Sequence, residues 1–311
     1  MPSLCALVSG FGWHVADLER AAVKIGVSLR TVEFPRVSAS VGMTEPALAR
    51  SADQKASTVG RSSVTAGDFD LMAADGVLVR MMPPGSLEQV VFRMDALHRV
   101  AAAGIPVLNS PRAVEAAVDK YLTLSLLECA GIAVPPTWAG ESANDALEAF
   151  AALGGDVVVK PLFGSEGRGL VRISETEIAW RTFHALERLN AVLYLQRTVR
   201  HPGHDLRVFV LQGSVLGAMR RHAQPGEWRT NVSLGGHAEP CRLEPDAERL
   251  ALAAARAIGA EMAGIDLIAD LDLGRLVVLE VNAVPGWRAL ARVTGVDVAA
   301  AILNALKNAR R

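Results

Sequence analysis

Apolar positions in this chain recur first with alternating strand and helix spacing, then in short strand-like runs. Leu4–Val8 is a continuous apolar run, Val15–Ile25 has helical spacing, and Ser28–Phe34 reads as a strand, which together make a β-α-β opening. Gly76–Arg80 is a further strand. Pro83-Pro84-Gly85 forms a turn, Ser86 caps a helix running to about Ala103, and Gly104 ends it before the strand Ile105–Leu108. This alternation predicts a mostly parallel sheet with helices packed on it. Between these elements, positions 36–68 are rich in Ser, Ala, Thr and Gly and lack a period. The stretch is long for a loop inside a compact domain and reads as a mobile or functional segment.

Further along, Asp119 stands where a helix N-cap belongs, and Gly131 stands where a left-handed residue would end that helix. Ile132–Trp138 follows, then a helix near Asn144–Leu153. From Asp156 the texture changes to short β-rich runs: Val157–Lys160, Leu170–Ile173, Val192–Arg197, Leu206–Leu211 and Val215–Arg220, with one helix near Glu175–Arg188. A helix near Asp246–Ile258, two strands, and a closing helix from about Val296 complete the chain. The reading is α/β first and α+β afterwards.

Length and composition narrow the classes. At 311 residues the chain exceeds what one core usually serves, so two or three subdomains are expected. Half the residues are apolar and the net charge is −1, which fits a globular protein and argues against a nucleic-acid binder acting through bulk charge. No run of about 18 apolar residues occurs, so no membrane span is expected. The start lacks a basic leader, and Cys5, Cys129 and Cys241 form no disulfide or zinc spacing. A cytoplasmic protein is expected. The seven histidines show no metal spacing, and His201 and His204, flanking Pro202-Gly203, read as turn residues. Gly10 and Gly12 begin a dinucleotide fingerprint but the third glycine is missing, so a plain strand-to-helix turn is expected, and a dinucleotide oxidoreductase rests on that fragment alone.

Candidate chemistry concentrates in the second half. In the segment Gly264–Asn282, Glu280 and Asn282 are two apart and share a strand face. A hairpin centred on Leu273 sets Asp266 opposite Glu280, with Cβ atoms about 5 Å apart. Two facing carboxylates repel, and a divalent ion relieves this. The all-oxygen set Asp266, Glu280, Asn282 suits Mg2+ or Mn2+. The bland alternative is a carboxylate facing solvent or paired with a lysine or arginine. Asp270 and Asp272 in the connector read as turn residues.

Val157-Val158-Val159-Lys160 is a strand ending in lysine, followed by a loop with Gly164, Ser165, Glu166, Gly167, Arg168 and Gly169. Glycines let backbone N–H groups approach an anion, and the lysine adds a point charge for phosphate. The Walker pattern is absent, so the loop is read either as a lid over phosphates or as a flexible hairpin tip.

Together these pieces resemble the ATP-grasp superfamily, and within it the RimK-like α-L-glutamate ligases, over roughly Ile105 to Val296. The segments that carry the resemblance are Asn109-Ser110-Pro111, Asp119-Lys120, Val159-Lys160-Pro161, the glycine loop, Gln196-Arg197, Asp205-Leu206-Arg207, Ala218–Arg221, Trp228–Asn231 and Leu279–Gly286. The resemblance implies an N-terminal Rossmann-like α/β subdomain (1–115) and two α+β subdomains (116–195 and 196–311) that sandwich ATP. It implies that Lys120, Lys160 and Arg207 meet the triphosphate, that 164–169 forms the lid, and that Gln196, Arg197 and Val199 line the adenine pocket. Arg221, Arg229 and Asn231 would be the catalytic groups near the γ-phosphate and the reacting carboxylate, with Asp266, Glu280 and Asn282 on Mg2+ or Mn2+.

The implied activity is ATP-dependent joining of a carboxylate to an amine through an acyl phosphate. The amine would be that of glutamate, and the acceptor a cofactor of tetrahydromethanopterin or methylofuran type, a peptide or a protein. Relatives form dimers or tetramers, so a homo-oligomer is implied. A non-catalytic nucleotide-binding protein on the same fold is the alternative, and the intact Asp/Glu/Asn set speaks against it. Two departures stand out: Arg197 where many relatives carry an acid, and Trp287-Arg288 after Pro285-Gly286, which suggests an altered acceptor pocket. Arg80, Arg93, Arg112 and Arg288 are candidates for gripping carboxylates, against the plainer reading of solvated surface arginines. Trp13 and His14 could stack on a pterin-like ring, or simply pack.

Overall fold

The computed structural model describes residues 1–43, 61–164, 169–224, 226–227, 229–230 and 236–309, with backbone only at 61 and 62. The chain divides into two compact units, Met1–Pro111 with Asp297–Arg311, and Arg112–Val296.

The first unit starts β1 (Ser3–Val8), α1 (Trp13–Ile25), β2 (Ser28–Glu33), β3 (Val37–Met43), β4 (Arg61–Ala66), β5 (Phe69–Asp70), β6 (Gly76–Val79), α2 (Leu87–Ala102) and β7 (Val107–Leu108). Its main sheet runs β2-β1-β6-β7, all parallel, as the alternation predicted. Ser86 and Gln89 form a reciprocal capping box at the start of α2. Gly10 sits at φ 84° in a strand-to-helix turn. Within 36–68 the structure shows the small antiparallel sheet β3-β4-β5. Its ladder is held partly by hydroxyl pairs, Ser38–Thr65 and Ser40–Ser63, both at 2.8 Å, which hydrophobic periodicity does not register. Positions 44–60 lie outside the described residues.

The closing helix Val298–Asn308 belongs with this first unit, whereas sequence order had grouped it with 196–311. Asp297 explains the attachment. Its carboxylate caps Ala300 N–H at 3.2 Å and also takes Nη2 of Arg20 at 2.6 Å and Nζ of Lys24 at 2.8 Å. These partners lie some 270 positions apart in sequence, beyond any local pattern.

The second unit runs α3 (Pro111–Val118), α4 (Lys120–Cys129), β8 (Thr137–Gly140), α5 (Ala143–Ala152), β9 (Val157–Lys160), β10 (Val171–Ile173), α6 (Thr176–Arg188), β11 (Leu193–Arg197), β12 (His204–Leu211), β13 (Ser214–His222), β14 (His237–Pro240), α7 (Pro245–Ala257), β15 (Met262–Asp270), β16 (Arg275–Asn282) and α8 (Arg288–Thr294). Asp119 caps α4 through Leu122 N–H at 3.0 Å, and Gly131 follows at φ 72°.

Two antiparallel sheets result, β10-β9-β11-β8 and β14-β13-β12-β15-β16. The first packs α5 and α6 through Phe150, Phe183, Val157, Val159, Leu193 and Leu195. The second packs α3, α4 and α7 through Leu124, Leu127, Ala251, Val208, Ile265, Leu267 and Val281. Burying each such Leu, Val or Phe contributes about 1.5–3 kcal/mol. Strand period two then turns the intervening residues, Val158, Lys160 and Gln196 on one sheet and Asp205, Arg221, Asp266 and Glu280 on the other, to a shared cleft.

His204 lies in β12, not in a turn. It stands opposite His222, which stands opposite His237, a row that only strand pairing assembles. Trp287 is 1% exposed and packs in the core. Arg80 and Arg93 are buried, not solvated, while Arg112 and Arg288 are exposed. Arg93 donates to the carbonyl of Pro83 at 2.8 Å.

Candidate active site

The cleft has a volume of about 620 Å³, and its floor is the β12-β13-β15-β16 face. Asp266 is paired with Glu280, as expected, but by a different route. Below the pair the β15–β16 register runs Leu267 with Val278 to Asp270 with Arg275; above it, Asp266 meets Glu280 and Gly264 meets Asn282. The shift is a bulge at Leu279, which turns Leu279 and Glu280 to the same face. Without the extra residue, Leu279 would face Asp266.

Asp266 belongs to a buried ion chain. Arg207, directly opposite on β12, donates Nη1 to Oδ1 at 2.7 Å, and Nη2 of Arg221 reaches Oδ2 at 3.0 Å. Arg221 in turn forks onto Asp205, Nε to Oδ1 at 2.8 Å and Nη2 to Oδ2 at 2.5 Å, and Thr230 donates its hydroxyl to Asp205 at 2.6 Å. Asp205, Arg207, Arg221 and Asp266 are each under 10% exposed, so these pairs act with little water between them. Burial pushes the Asp266 carboxyl up, yet the two guanidiniums outweigh it and hold it below the usual carboxylate range.

Glu280 is the opposite case. Burial and then the neighbouring Asp266 charge raise it, although Arg207, Lys160 and Lys120 pull the other way. Its carboxylate makes no hydrogen bond or ion pair among the described residues. Asn282 shares the face by alternation, but its Oδ1 accepts Val284 N–H at 2.8 Å and it does not line the cleft.

Both lysines line the cleft. Lys160 donates to Oε1 of Gln196 at 2.6 Å, and Gln196 Nε2 donates to Thr137 at 3.1 Å. Lys120, the first residue of α4, donates to the carbonyls of Leu162 at 3.2 Å and Gly164 at 2.9 Å. Each ammonium is therefore bonded to neutral oxygens, and its charge is left for an anion. Burial pushes Lys160 down to about 8, and it lowers Lys120 as well.

Gly164 (φ 151°) and Gly169 (φ 74°) bracket the loop between β9 and β10 in conformations suited to glycine. Ser165, Glu166, Gly167 and Arg168 lie outside the described residues, as does Asn231. Val199 packs with Ile268 and Val277, with Leu279 and Ala133 against them, making one end of the cleft apolar. Arg197 pairs with Asp270 and reaches Asp272 at 3.3 Å. Arg229 lines the cleft and forks onto Glu227 at 3.0 and 2.7 Å, which raises its pKa.

Sequence reading gave no role to Asp205, Thr137, Thr230 or Gly264. Asp205 has a usable signal, since it stands two before Arg207 on the same face. The others depend on which strands become neighbours. The oxygen-only donors Asp266 and Glu280 suit a hard cation. No group of three or more His, Cys, Asp or Glu able to hold a metal occurs among the described residues. A cation here would thus draw on further oxygens, as Mg2+ does with phosphates and water.

A model of the RimK-like ATP-grasp domain family matches residues 117–306. This chain belongs to the RimK-like ATP-grasp family. It is an ATP-dependent carbon–nitrogen ligase with the ATP-grasp fold expected from its sequence. The tetrahydromethanopterin:alpha-L-glutamate ligase of Methanosarcina acetivorans is 35% identical over 269 residues, 78% of this chain and 83% of the relative. A probable alpha-L-glutamate ligase of Mannheimia succiniciproducens is 37% identical over 207 residues, 65% and 68% of the two chains. The solved ATP-grasp ligase PsnB, in complex with a precursor variant, Mg and ADP, superposes with a TM-score of 0.74 over 100% of this chain and 99% of its own, at 21% identity, a likeness of fold. Among the described residues no single helix is long and apolar enough to cross a membrane.

Proposed function

We propose that this ligase adds glutamate to the carboxylate of a cofactor of tetrahydromethanopterin or methylofuran type. The observation that carries the reading is the 35% identity to the tetrahydromethanopterin:alpha-L-glutamate ligase. That likeness covers 78% of the chain and so reaches past the 117–306 domain into the first unit.

A carboxylate does not acylate an amine at neutral pH. Its oxygen first attacks the γ-phosphorus of ATP, giving an acyl phosphate and ADP. The glutamate amine then attacks the acyl carbon, inorganic phosphate leaves, and the amine proton passes to solvent. Lys120, Lys160 and Arg207 are read as the triphosphate clamp, supported by two ammoniums that hold no carboxylate. Loop 164–169 is read as the cover that keeps water from the acyl phosphate.

Gln196, Arg197 and Val199 border the apolar end, which suits the base. Arg221, Arg229 and Asn231 serve the γ-phosphate and the reacting carboxylate. Asp266 and Glu280 are read as the seat of Mg2+, or Mn2+, which when bound would neutralise charge on the phosphate oxygens; Asn282 would join them only by turning its amide oxygen off Val284 N–H. Glu280, without a partner among the described residues, supports this most directly. The same reading makes the protein a cytoplasmic homo-oligomer.

The test is incubation of the purified chain with ATP, Mg2+, glutamate and a panel of pterin, furan and peptide acceptors. Expected is one acceptor gaining the mass of a glutamyl residue with matching ADP release. Glutamylation of a peptide alone would move the acceptor to the peptide class. ADP release that ignores every amine would sink the ligase reading.

A further inference from the structure

Arg197 sits in an ion-pair network that joins the two sheets of the second unit. It ends β11, in the sheet β10-β9-β11-β8, while its partners end β15, in the other sheet. Asp270, with no side-chain exposure, gives one oxygen to Arg197 Nη2. Its other oxygen accepts the turn amides of Asp272 at 3.0 Å and Leu273 at 3.2 Å. Arg197 Nη1 also reaches Asp272, and Arg200 forks onto Asp272 at 2.9 and 2.7 Å. The backbone adds one bond, Leu271 N–H to the carbonyl of Arg200 at 2.9 Å. An acid at 197 would face two carboxylates, so arginine turns a repulsion into a tie.

We propose that Arg197 is a positioning residue that locks the strand bordering the apolar end of the cleft to the hairpin bearing Asp266 and Glu280. A nucleotide must reach both ends at once, its base at Val199 and Leu279 and its phosphates near Glu280. Holding the two sheets in one register makes the second contact follow from the first, as with any pair of linked sites. The inference rests on reading the cleft as a nucleotide site.

The experiment uses the full-length protein and calorimetric titration with ADP plus Mg2+. Arg197→Met and Asp270→Asn are each expected to weaken binding about tenfold, and the double variant by clearly less than the product of the two, because both remove the Arg197–Asp270 contact. Amide exchange on the wild type supplies a second measurement that needs no variant to fold: ADP should slow exchange at Asp272 and Leu273. Arg197→Met that melts earlier yet binds ADP as tightly as wild type reduces Arg197 to a structural role and overturns the proposal. So does unchanged exchange at those two amides. A wild type that binds no adenine nucleotide overturns the reading of the cleft itself, and the proposal with it.

Discussion

The guanidinium of Arg207 lies flat across Gly264: a Cβ built on that glycine would stand 2.5 Å from Cζ and 2.8 Å from Nε of the arginine. Gly264 is opposite Asn282 on β16, and Arg207 is opposite Asp266 on β15. The glycine thus lets an arginine reach Asp266 without rising off the sheet. Gly264→Ala should push the guanidinium away, break its 2.7 Å bond to Asp266, and leave two buried charges short of a partner. The expected cost is about 1–3 kcal/mol of stability and about a tenfold or greater fall in kcat/KM for ATP. Steady-state kinetics beside a thermal melt will separate the two.

Glu280 and Asp266 should respond differently to neutralisation. Glu280→Gln removes a carboxylate that no described group balances by hydrogen bond or ion pair, so the fold should hold while the Mg2+ concentration for half-maximal rate rises. Asp266→Asn strips the shared anion from Arg207 and Arg221 and should cost about 3–5 kcal/mol, as breaking a buried pair does. Mg2+ titrations and melting curves of both variants test the contrast. A Glu280→Gln enzyme with wild-type Mg2+ dependence would remove the metal assignment.

Lys160 predicts a pH effect. Burial holds its folded pKa near 8, below the usual lysine value, with the like charge of Lys120 in the same direction. Between the folded and unfolded values the unfolded chain binds more protons, so this group's contribution to stability rises with pH across that window. Its service to phosphate runs the other way, because the clamp needs the charged form. KM for ATP should climb as pH passes about 8, and ADP binding near that pH should take up a proton. Calorimetry in buffers of different ionisation heat measures this, and Lys160→Arg should flatten it.

Asp297 holds the closing helix to the first unit. Arg20 and Lys24 pull its carboxyl far below the usual range, so its contribution is present above the unfolded carboxylate pKa and fades as pH falls through the folded one. Asp297→Ala loses a helix cap and two partly exposed ion pairs, about 1–2 kcal/mol in sum. The melt of the first unit should move down by a few degrees, with nucleotide binding in the second unit unchanged.

Much of the site was legible because strand period two and glycine loops are local. Lys160, Glu280 and Asn282 could be assigned faces from spacing alone. A hairpin centred on Leu273 pairs Asp266 with Glu280, whereas the actual turn is one residue tighter and the Leu279 bulge restores the match. Gln196 also bridges Lys160 and Thr137 through its amide, a contact that spacing does not show. No local signal says that Thr137 will lie across the ladder from it.

By itself the sequence determined the β-α-β opening and its parallel sheet, the two lysines, the acidic pair and the family, since each depends on neighbours within a strand, a turn or a helix. Tertiary structure alone decided that Asp205, Arg221, Asp266 and Arg207 form one chain of charges, that Gly264 makes room for it, and that Asp297 draws the last helix to the first unit. Those contacts join residues tens to hundreds of positions apart, and their strength comes from exclusion of water, which exists only once the sheets and helices have packed.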